Sequence, residues 1–115
     1  MAVKRMAFVM YPVTDLARAS AFYEKALGLK KDGLDNPVWV EFDVDGTTFG
    51  IGNFEQAGTP GTAASLALEV DDIQAMRAML AGKGVQASEP HELPNCWVST
   101  LSDPDGNQVW LHQLK

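Results

Sequence analysis

Apolar residues recur at helical spacing in two stretches of this chain, residues 13–29 and residues 70–84. Each stretch opens with Val, any residue, Asp and then an aliphatic residue. On the first predicted helix, one face collects Leu16, Ala19, Phe22, Tyr23, Ala26 and Leu27. On the second, the apolar positions are Ile73, Met76, Met79 and Leu80. A pattern that occurs twice predicts two copies of one structural unit.

Polar and glycine residues mark where these helices begin and end. Asp15 and Asp72 precede the first apolar position of each helix, where a carboxylate accepts hydrogen bonds from the unpaired amides of the first turn. The negative charge also lies at the positive end of the helix dipole. Gly28 suits the left-handed conformation just past the end of the first helix.

Runs rich in apolar residues predict four strands in each repeat. The predicted strands cover residues 3–13, 30–34, 38–44 and 47–54, then 64–70, 85–93, 96–101 and 108–114. Turn signals separate several of them, at residues 35–37, 45–46 and 103–106. Pro90 has no N–H to donate, so the strand that contains it is predicted at a sheet edge.

Alternation along these strands divides the side chains between two faces. One face is predicted to carry Met6, Phe8, Met10, Trp39, Glu41, Asp43, Gly50 and Gly52. The other is predicted to carry Ala7, Val9, Tyr11, Val13, Val38, Val40 and Phe42. Both faces of the first strand are apolar, which favours a strand covered on both sides.

The predicted fold class is α+β, with two tandem βαβββ modules in a single domain covering residues 1–115. The modules span about 1–54 and 64–115, and the Gly- and Pro-containing segment 55–63 links them. A helix on one side of each four-stranded sheet leaves the other side to be covered. We therefore expect the two sheets to form a curved mixed sheet around a shared cleft.

Composition excludes several classes of function. The net charge of −6 with nine Lys and Arg argues against nucleic-acid binding, and no run approaches the ~20 apolar residues of a membrane span. Cys96 is alone, so a reducing cytoplasm is expected. An acidic surface favours a cationic ligand, or serves only to keep the protein soluble.

Two motifs resemble those of the vicinal oxygen chelate superfamily. Residues 13–29, VTDLARASAFYEKALGL, are similar to V-x-D-L-x-x-S-x-x-F-Y-x-x-x-L-G-L, and residues 101–111, LSDPDGNQVWL, are similar to F-x-D-P-D-G-N-x-x-E-L. That superfamily includes glyoxalase I, extradiol dioxygenases, fosfomycin-resistance proteins and bleomycin-resistance proteins. The resemblance implies the glyoxalase/bleomycin resistance fold and a homodimer. It implies no single activity, because this fold hosts many chemistries.

The family's metal ligands have no counterpart in this sequence. Metal-dependent members use a His on the first strand and a Glu on the last strand of each module, and the resemblance assigns those places to Phe8, Gly50, Ser65 and Trp110. Phe, Gly and Trp offer a metal no side-chain lone pair, and a neutral Ser hydroxyl is a weak donor. The resemblance therefore predicts no metal and no cofactor, as in the metal-free bleomycin-resistance proteins.

The residues predicted to bind a ligand lie on the face that would line the cleft. They are Phe8, Met10, Trp39, Gly50, Gly52, Ser65, Trp110 and His112. The small residues leave room, while the aromatic and thioether side chains suit a flat or aromatic ligand. Alternatively, Phe8 and Trp110 simply fill the space of the lost metal site.

Other polar residues are assigned more modest roles. Glu41 and Glu69 add negative charge for a cationic group, and His112 either bonds a ligand, transfers a proton or does neither. Glu89 and His91 are interpreted as a solvent-exposed edge. Trp97, predicted on the helix-packed face, and Cys96, a buried apolar residue, stay outside the site.

Three functions follow from this sequence. The first is a non-catalytic small-molecule binder that sequesters an aromatic or cationic drug-like compound, as in antibiotic resistance. The second is a lyase, isomerase or dioxygenase of the same superfamily with a non-standard site that uses His112, Glu41 or Glu69. The third is an interaction domain with a filled cleft. The sequence favours the first and does not identify the ligand.

Overall fold

The structure is a computed structural model that describes residues 2–115 and divides them into two compact units. The first unit ends at Pro60 and the second begins at Gly61, inside the predicted linker. Each unit has the predicted order of one strand, one helix and three strands, which confirms the α+β fold class. The single domain and the shared cleft stay predictions. No helix within residues 2–115 has the length and apolar character needed to cross a membrane.

The first unit is a four-stranded mixed sheet with one helix against it. Its strands are β1 (Val9–Pro12), β2 (Lys30–Asn36), β3 (Trp39–Val44) and β4 (Thr47–Gly52). Helix α1 spans Leu16–Ala21, and a short 3-10 helix, Glu55–Ala57, follows β4. The strand order is β1-β4-β3-β2, with β1 parallel to β4 and the other pairs antiparallel. The helical crossover therefore places the first strand beside the last.

The predicted helix boundaries are confirmed. Asp15 Oδ1 accepts a hydrogen bond of 3.0 Å from the Arg18 amide, and Asp72 Oδ1 accepts one of the same length from the Ala75 amide. Gly28 has a φ of +73°, the left-handed conformation that ends the first helical segment.

A π-helical turn continues α1, and the sequence did not predict it. Residues 22–26 form this turn, and the Leu27 N–H donates to the Phe22 carbonyl over 3.1 Å. A π turn accommodates an extra residue, so positions counted at α spacing shift around the helix axis. Within this turn Tyr23 is buried completely, whereas Phe22 is only half-buried.

Aromatic rings form the core between α1 and the first sheet. The Tyr23 ring centre lies 5.0 Å from that of Phe49 and 6.1 Å from that of Phe42, and Tyr11 lies 5.4 Å from Phe49. Burial of a large apolar side chain contributes ~1.5–3 kcal/mol, and an edge-to-face ring pair adds ~0.5–1.5 kcal/mol. Because side chains alternate along a strand, this core directs every second residue to the opposite side of the sheet.

The second unit repeats this architecture. Its strands are β5 (Leu66–Glu69), β6 (His91–Leu93), β7 (Cys96–Ser102) and β8 (Gln108–Leu114), and helix α2 spans Ile73–Gly82. The strand order is β5-β8-β7-β6, with β5 parallel to β8 and the other pairs antiparallel.

The Asp-Pro-Asp-Gly-Asn motif serves the structure of the second unit. Asn107 is fully buried, and its Oδ1 accepts hydrogen bonds from the amides of Gly61 (2.9 Å) and Ala63 (3.1 Å). Its Nδ2 donates to Asp103 Oδ2 over 2.9 Å. This buried amide attaches the segment before β5 to the turn before β8, and such buried polar groups are costly to leave unpaired.

Several predicted strands are shorter in the structure. β1 begins at Val9, which pairs with Phe49, rather than at residue 3, and β4 ends at Gly52 rather than at residue 54. In this parallel register the first residue of β4, Thr47, corresponds to residue 7, so Met6 lies beyond the sheet and is exposed. β5 likewise begins at Leu66 rather than at residue 64.

The second strand of the second unit, β6, was also predicted too long. The regular pairing with β7 covers residues 91–93, whereas the prediction covered 85–93; upstream, the Ser88 amide donates to the Thr100 carbonyl of β7 over 2.8 Å. The Val85 amide instead donates to the Leu80 carbonyl over 2.9 Å and closes the end of α2, and Pro90 has no N–H.

The turn between β2 and β3 lies later than predicted. Residues 35–36 belong to β2, after an irregularity in its pairing with β3, and the turn is formed by residues 37–38. Asn36 Oδ1 organises it by accepting hydrogen bonds from the amides of Val38 (3.0 Å) and Trp39 (2.9 Å).

Candidate functional site

Each sheet has one side that its helix does not cover, which we call the open face of that unit. In the first unit α1 packs against β3 and β4, so the open face is the opposite side of those strands. The register places Met10 beside Gly50 and Gly52 beside Trp39. Five predicted ligand-binding residues belong to this region, namely Phe8, Met10, Trp39, Gly50 and Gly52.

The indole of Trp39 lies directly on the two glycines of β4. A Cβ atom built on Gly50 would approach Trp39 Cζ2 to 2.2 Å, and one on Gly52 would approach Trp39 Cε3 to 3.1 Å. Real Cβ atoms essentially never approach a heavy atom closer than 3.0 Å. Gly50 is therefore needed for the ring to lie flat against the strand, whereas a Cβ at Gly52 would require the ring to shift by a few tenths of an ångström.

Glu41 holds this indole in place. Its Oε2 accepts a hydrogen bond of 2.8 Å from Trp39 Nε1, and its Oε1 accepts one of 3.1 Å from the Leu34 amide. Gly33 lies beside it with a φ of +101°, a conformation that favours glycine, and a Cβ there would displace Glu41 Oε1 from its present position at 2.3 Å. The carboxylate is thus fixed from two sides and places a negative charge beside the ring.

Two further rings border the indole. Phe8 meets it edge-on with ring centres 5.4 Å apart, and Phe54 lies at 6.0 Å. Phe54 also covers Gly52, where an added Cβ would meet its Cε1 at 2.6 Å. Phe8 is 49% exposed and Met10 is half-buried. Phe54 was not assigned to the site, although alternation along the predicted strand 47–54 gives it the same face as Gly50 and Gly52; in the structure it lies just past the end of β4.

The open face of the second unit carries the remaining predicted residues. Trp110 lies between Ala67 of β5 and Thr100 of β7 and is 38% exposed. His112 follows it on the same face of β8, and Ser65 lies exposed just before β5. The structure therefore brings Trp110 and His112 together on one strand and places Ser65 at its margin.

His112 and Glu69 form a pair across neighbouring strands. His112 Nδ1 lies 2.5 Å from Glu69 Oε1, and the Leu114 amide donates to Glu69 Oε2 over 2.8 Å. Two hydrogen bonds hold the pKa of Glu69 below its usual value, and the bond from His112 has a larger effect than the bond from the Leu114 amide. The sequence identified both residues but did not predict that they pair.

The family's metal positions do not suit a metal in either unit. At Gly50 a longer side chain would collide with the Trp39 indole, and the space for a ligand atom is filled by a ring. Phe8 and Trp110 present hydrocarbon and an indole, and only the Ser65 hydroxyl offers oxygen. Within residues 2–115, no three His, Cys, Asp or Glu side chains cluster so as to hold a metal.

The structure keeps Trp97, Glu89 and His91 outside the site, as the sequence predicted. Trp97 is in register with Gln113 and lines a concavity of about 300 Å³ beside the start of α2, away from the open face. His91 is exposed at the edge strand β6, and Glu89 forms an ion pair of 3.3 Å with Arg77. Cys96, at the start of β7, is only half-buried, so the prediction that it is a buried residue is wrong.

Comparison with known proteins supports this description. A model of the Glyoxalase/Bleomycin resistance protein/Dioxygenase superfamily matches residues 5–111. The chain belongs to this superfamily. Its two βαβββ units and the Asp-Pro-Asp-Gly-Asn turn are the superfamily features that the sequence predicted, so the fold assignment is confirmed.

Solved structures of superfamily members cover nearly the whole chain. TnmS3, an antibiotic binding protein from Streptomyces sp. CB03234, is 29% identical, with a TM-score of 0.87 over 100% of this chain and 99% of its own. A glyoxalase/bleomycin resistance protein from the same organism is 29% identical, with a TM-score of 0.81 over 92% and 97%. Lactoylglutathione lyase from Agrobacterium tumefaciens, at 18% identity and a TM-score of 0.82 over 98% and 96%, shares the fold. The search of curated proteins found no match.

The contact between Gly50 and Trp39 leads to a testable prediction about stability. We expect Gly50→Ala to lower the free energy of unfolding by ~1–3 kcal/mol, because the new methyl group displaces a packed ring. In a Trp39→Ala background the same substitution should cost little, since the obstacle is gone. Denaturant unfolding of the wild type, both single variants and the double variant measures this coupling.

Gly82→Ala is the matched control for that experiment. Gly82 lies at the end of α2, and nothing stands within 4 Å of its added Cβ. It should be neutral or stabilising by about 0.5–1 kcal/mol, as Ala generally is in a helix. An equal cost of Gly50→Ala with and without Trp39 would show that the ring does not limit position 50.

Proposed function

We propose that this chain is a metal-independent small-molecule-binding protein that takes up an aromatic or cationic drug-like compound on its open faces. The observation that carries the proposal is the indole of Trp39 resting on Gly50, at a position that supplies a metal ligand in the family's enzymes. In the second unit, Trp110 itself stands at the equivalent position. An aromatic surface thus replaces a ligand position in both units.

The first unit's indole is suited to stacking. Its position is fixed by Glu41 and by the two glycines beneath it, so little side-chain freedom is lost when a ligand covers it. The neighbouring carboxylate and the overall charge of −6 both favour a ligand that carries positive charge. Planar cationic compounds fit this combination.

Similarity to an antibiotic binding protein supports the same proposal. TnmS3 matches the chain over its full length at 29% identity, and its name states that it binds an antibiotic. We extend that kind of ligand, and with it a role in sequestering a drug, to this chain as part of the proposal.

A superfamily lyase, isomerase or dioxygenase with a non-standard site is the second candidate. The observation that favours it is the His112–Glu69 pair, because an imidazole oriented by a carboxylate is a common arrangement for proton transfer. The third candidate, an interaction domain with filled faces, is disfavoured by the exposure of Phe8 and Trp110.

We also propose that the protein is a cytoplasmic homodimer. The edge strands β2 and β6 are exposed, with Leu34 and Leu93 on them, and exposed strand edges favour association. Sedimentation at micromolar concentration should therefore show a species of twice the 12.5 kDa chain mass. A single species at the chain mass would contradict this part of the proposal.

Metal independence makes a second prediction. Protein purified without added metal should contain no stoichiometric divalent ion, and a chelator should leave its melting temperature unchanged, because no ligand set is present at the family positions. Metal analysis and thermal unfolding with and without chelator measure this. One Zn, Ni, Mn or Fe ion per chain, held by Glu or His of an open face, would refute it.

Trp110→Ala tests the binding function. If a ligand covers the indole, its affinity should fall by ~1–3 kcal/mol, the range for loss of an aromatic anchor. The stability loss should stay below the ~3–5 kcal/mol typical of buried aromatic side chains, because Trp110 is partly exposed. Tryptophan quenching with a panel of aromatic and cationic compounds, followed by titration of each variant, gives both values.

Trp97→Ala is the matched control. It removes an indole from the same sheet but from the opposite side, so it should leave the affinity unchanged. A large loss of stability with unchanged affinity in Trp110→Ala would reject the binding face and favour the filled-face alternative.

A further inference from the structure

The open face of the second unit presents two ring nitrogens without protein partners. Among residues 2–115, His112 Nε2 and Trp110 Nε1 have no hydrogen-bond acceptor or donor, although both side chains are partly accessible. They are two positions apart on β8, so their Cα atoms are ~7 Å apart on one face. A ligand of one or two rings spans that distance.

The partner of Nδ1 determines what Nε2 can do. An ionised carboxylate only accepts hydrogen bonds, so His112 Nδ1 carries the proton that bonds Glu69. In the neutral imidazole, Nε2 then has a lone pair and acts as an acceptor. The face therefore offers a hydrogen-bond acceptor beside an indole.

We infer that His112 Nε2 receives the proton of an aromatic hydroxyl whose ring lies against Trp110, with Glu69 as the residue that positions the imidazole. The O–H bond of the ligand breaks, an N–H bond forms at Nε2, and the electron pair stays on the ligand oxygen. The products are a phenolate and an imidazolium, and the net charge is unchanged. This inference rests on the proposed function, because it names the class of ligand for that same face.

The charges around His112 favour binding of a neutral phenol, which then transfers its proton, over binding of a phenolate that is already ionised. Glu69 on β5 faces the imidazole directly, whereas Val98 occupies the adjacent position on β7. His91 on β6 lies beyond Val98, and on β8 itself Trp110 and Leu114 are the residues two positions before and after His112. The carboxylate stabilises the imidazolium once it forms but repels an anion that arrives already charged. A neutral phenol is not repelled when it arrives, and its proton transfer forms the imidazolium that the carboxylate stabilises.

A phenol and its methyl ether test the inference as a pair. We would titrate 4-nitrophenol and 4-nitroanisole into the wild type, His112→Leu and Glu69→Gln, and record the absorbance of bound 4-nitrophenol as a function of pH. The wild type should prefer the phenol by about tenfold or more, the lower end of what a charge-assisted hydrogen bond contributes, and should lower the apparent pKa of the bound probe. His112→Leu should abolish both effects, and Glu69→Gln should weaken the pKa effect.

Two matched variants serve as controls. His91→Gln removes the other exposed imidazole, and Glu92→Gln removes a carboxylate that pairs with Lys115 rather than with a histidine. Both should keep the wild-type preference and pH profile. Unfolding measurements on every variant ensure that the comparison is made on folded protein.

The outcomes separate the inference from the proposed function. Equal affinity for the two probes in the wild type, no binding of either probe, or a preference unaffected by His112→Leu would overturn the inference. If panel compounds still bind in a Trp110-dependent manner, the binding function stands. If no panel compound binds, the proposed function fails as well.

Discussion

The uncovered face of each sheet is the constraint on which the rest of this structure depends. One helix packs against each four-stranded sheet, and aromatic and aliphatic side chains fill the layer between them. Strand alternation then sends every second side chain to the side without a helix. The side chains on this open face can vary without loss of the core, which explains how one fold serves many chemistries.

In both units an indole occupies the place of the last-strand metal ligand of the family's enzymes, but the residue that supplies the indole differs. In the second unit Trp110 occupies the position itself, whereas in the first unit Gly50 leaves it empty and Trp39 of the adjacent strand covers it. Either arrangement excludes a carboxylate ligand. Because the change occurs in both repeats, the replacement of a metal ligand by an aromatic surface is a property of the whole chain.

Each open face also carries a carboxylate held in the same manner. Glu41 accepts from the Trp39 ring N–H and a backbone amide, and Glu69 accepts from the His112 ring and a backbone amide. Both side chains are therefore held in place by the protein itself, which under the proposed function lowers the entropy cost of binding. They differ in what they orient, because Glu41 holds an indole and Glu69 holds an imidazole.

Local chemistry in the sequence determined the repeat, the helix caps at Asp15 and Asp72, the strand faces and the loss of metal ligands, since each depends on residue type and spacing within a few positions. Tertiary structure decided the features that the spacing of residues along the chain does not determine. The extent of β1 depends on its pairing with β4, the π turn at residues 22–26 has no signal in the residue spacing, and the contact of Trp39 with Gly50 joins two strands. The His112–Glu69 pair is likewise formed only because the β5–β8 register brings together residues far apart in the chain.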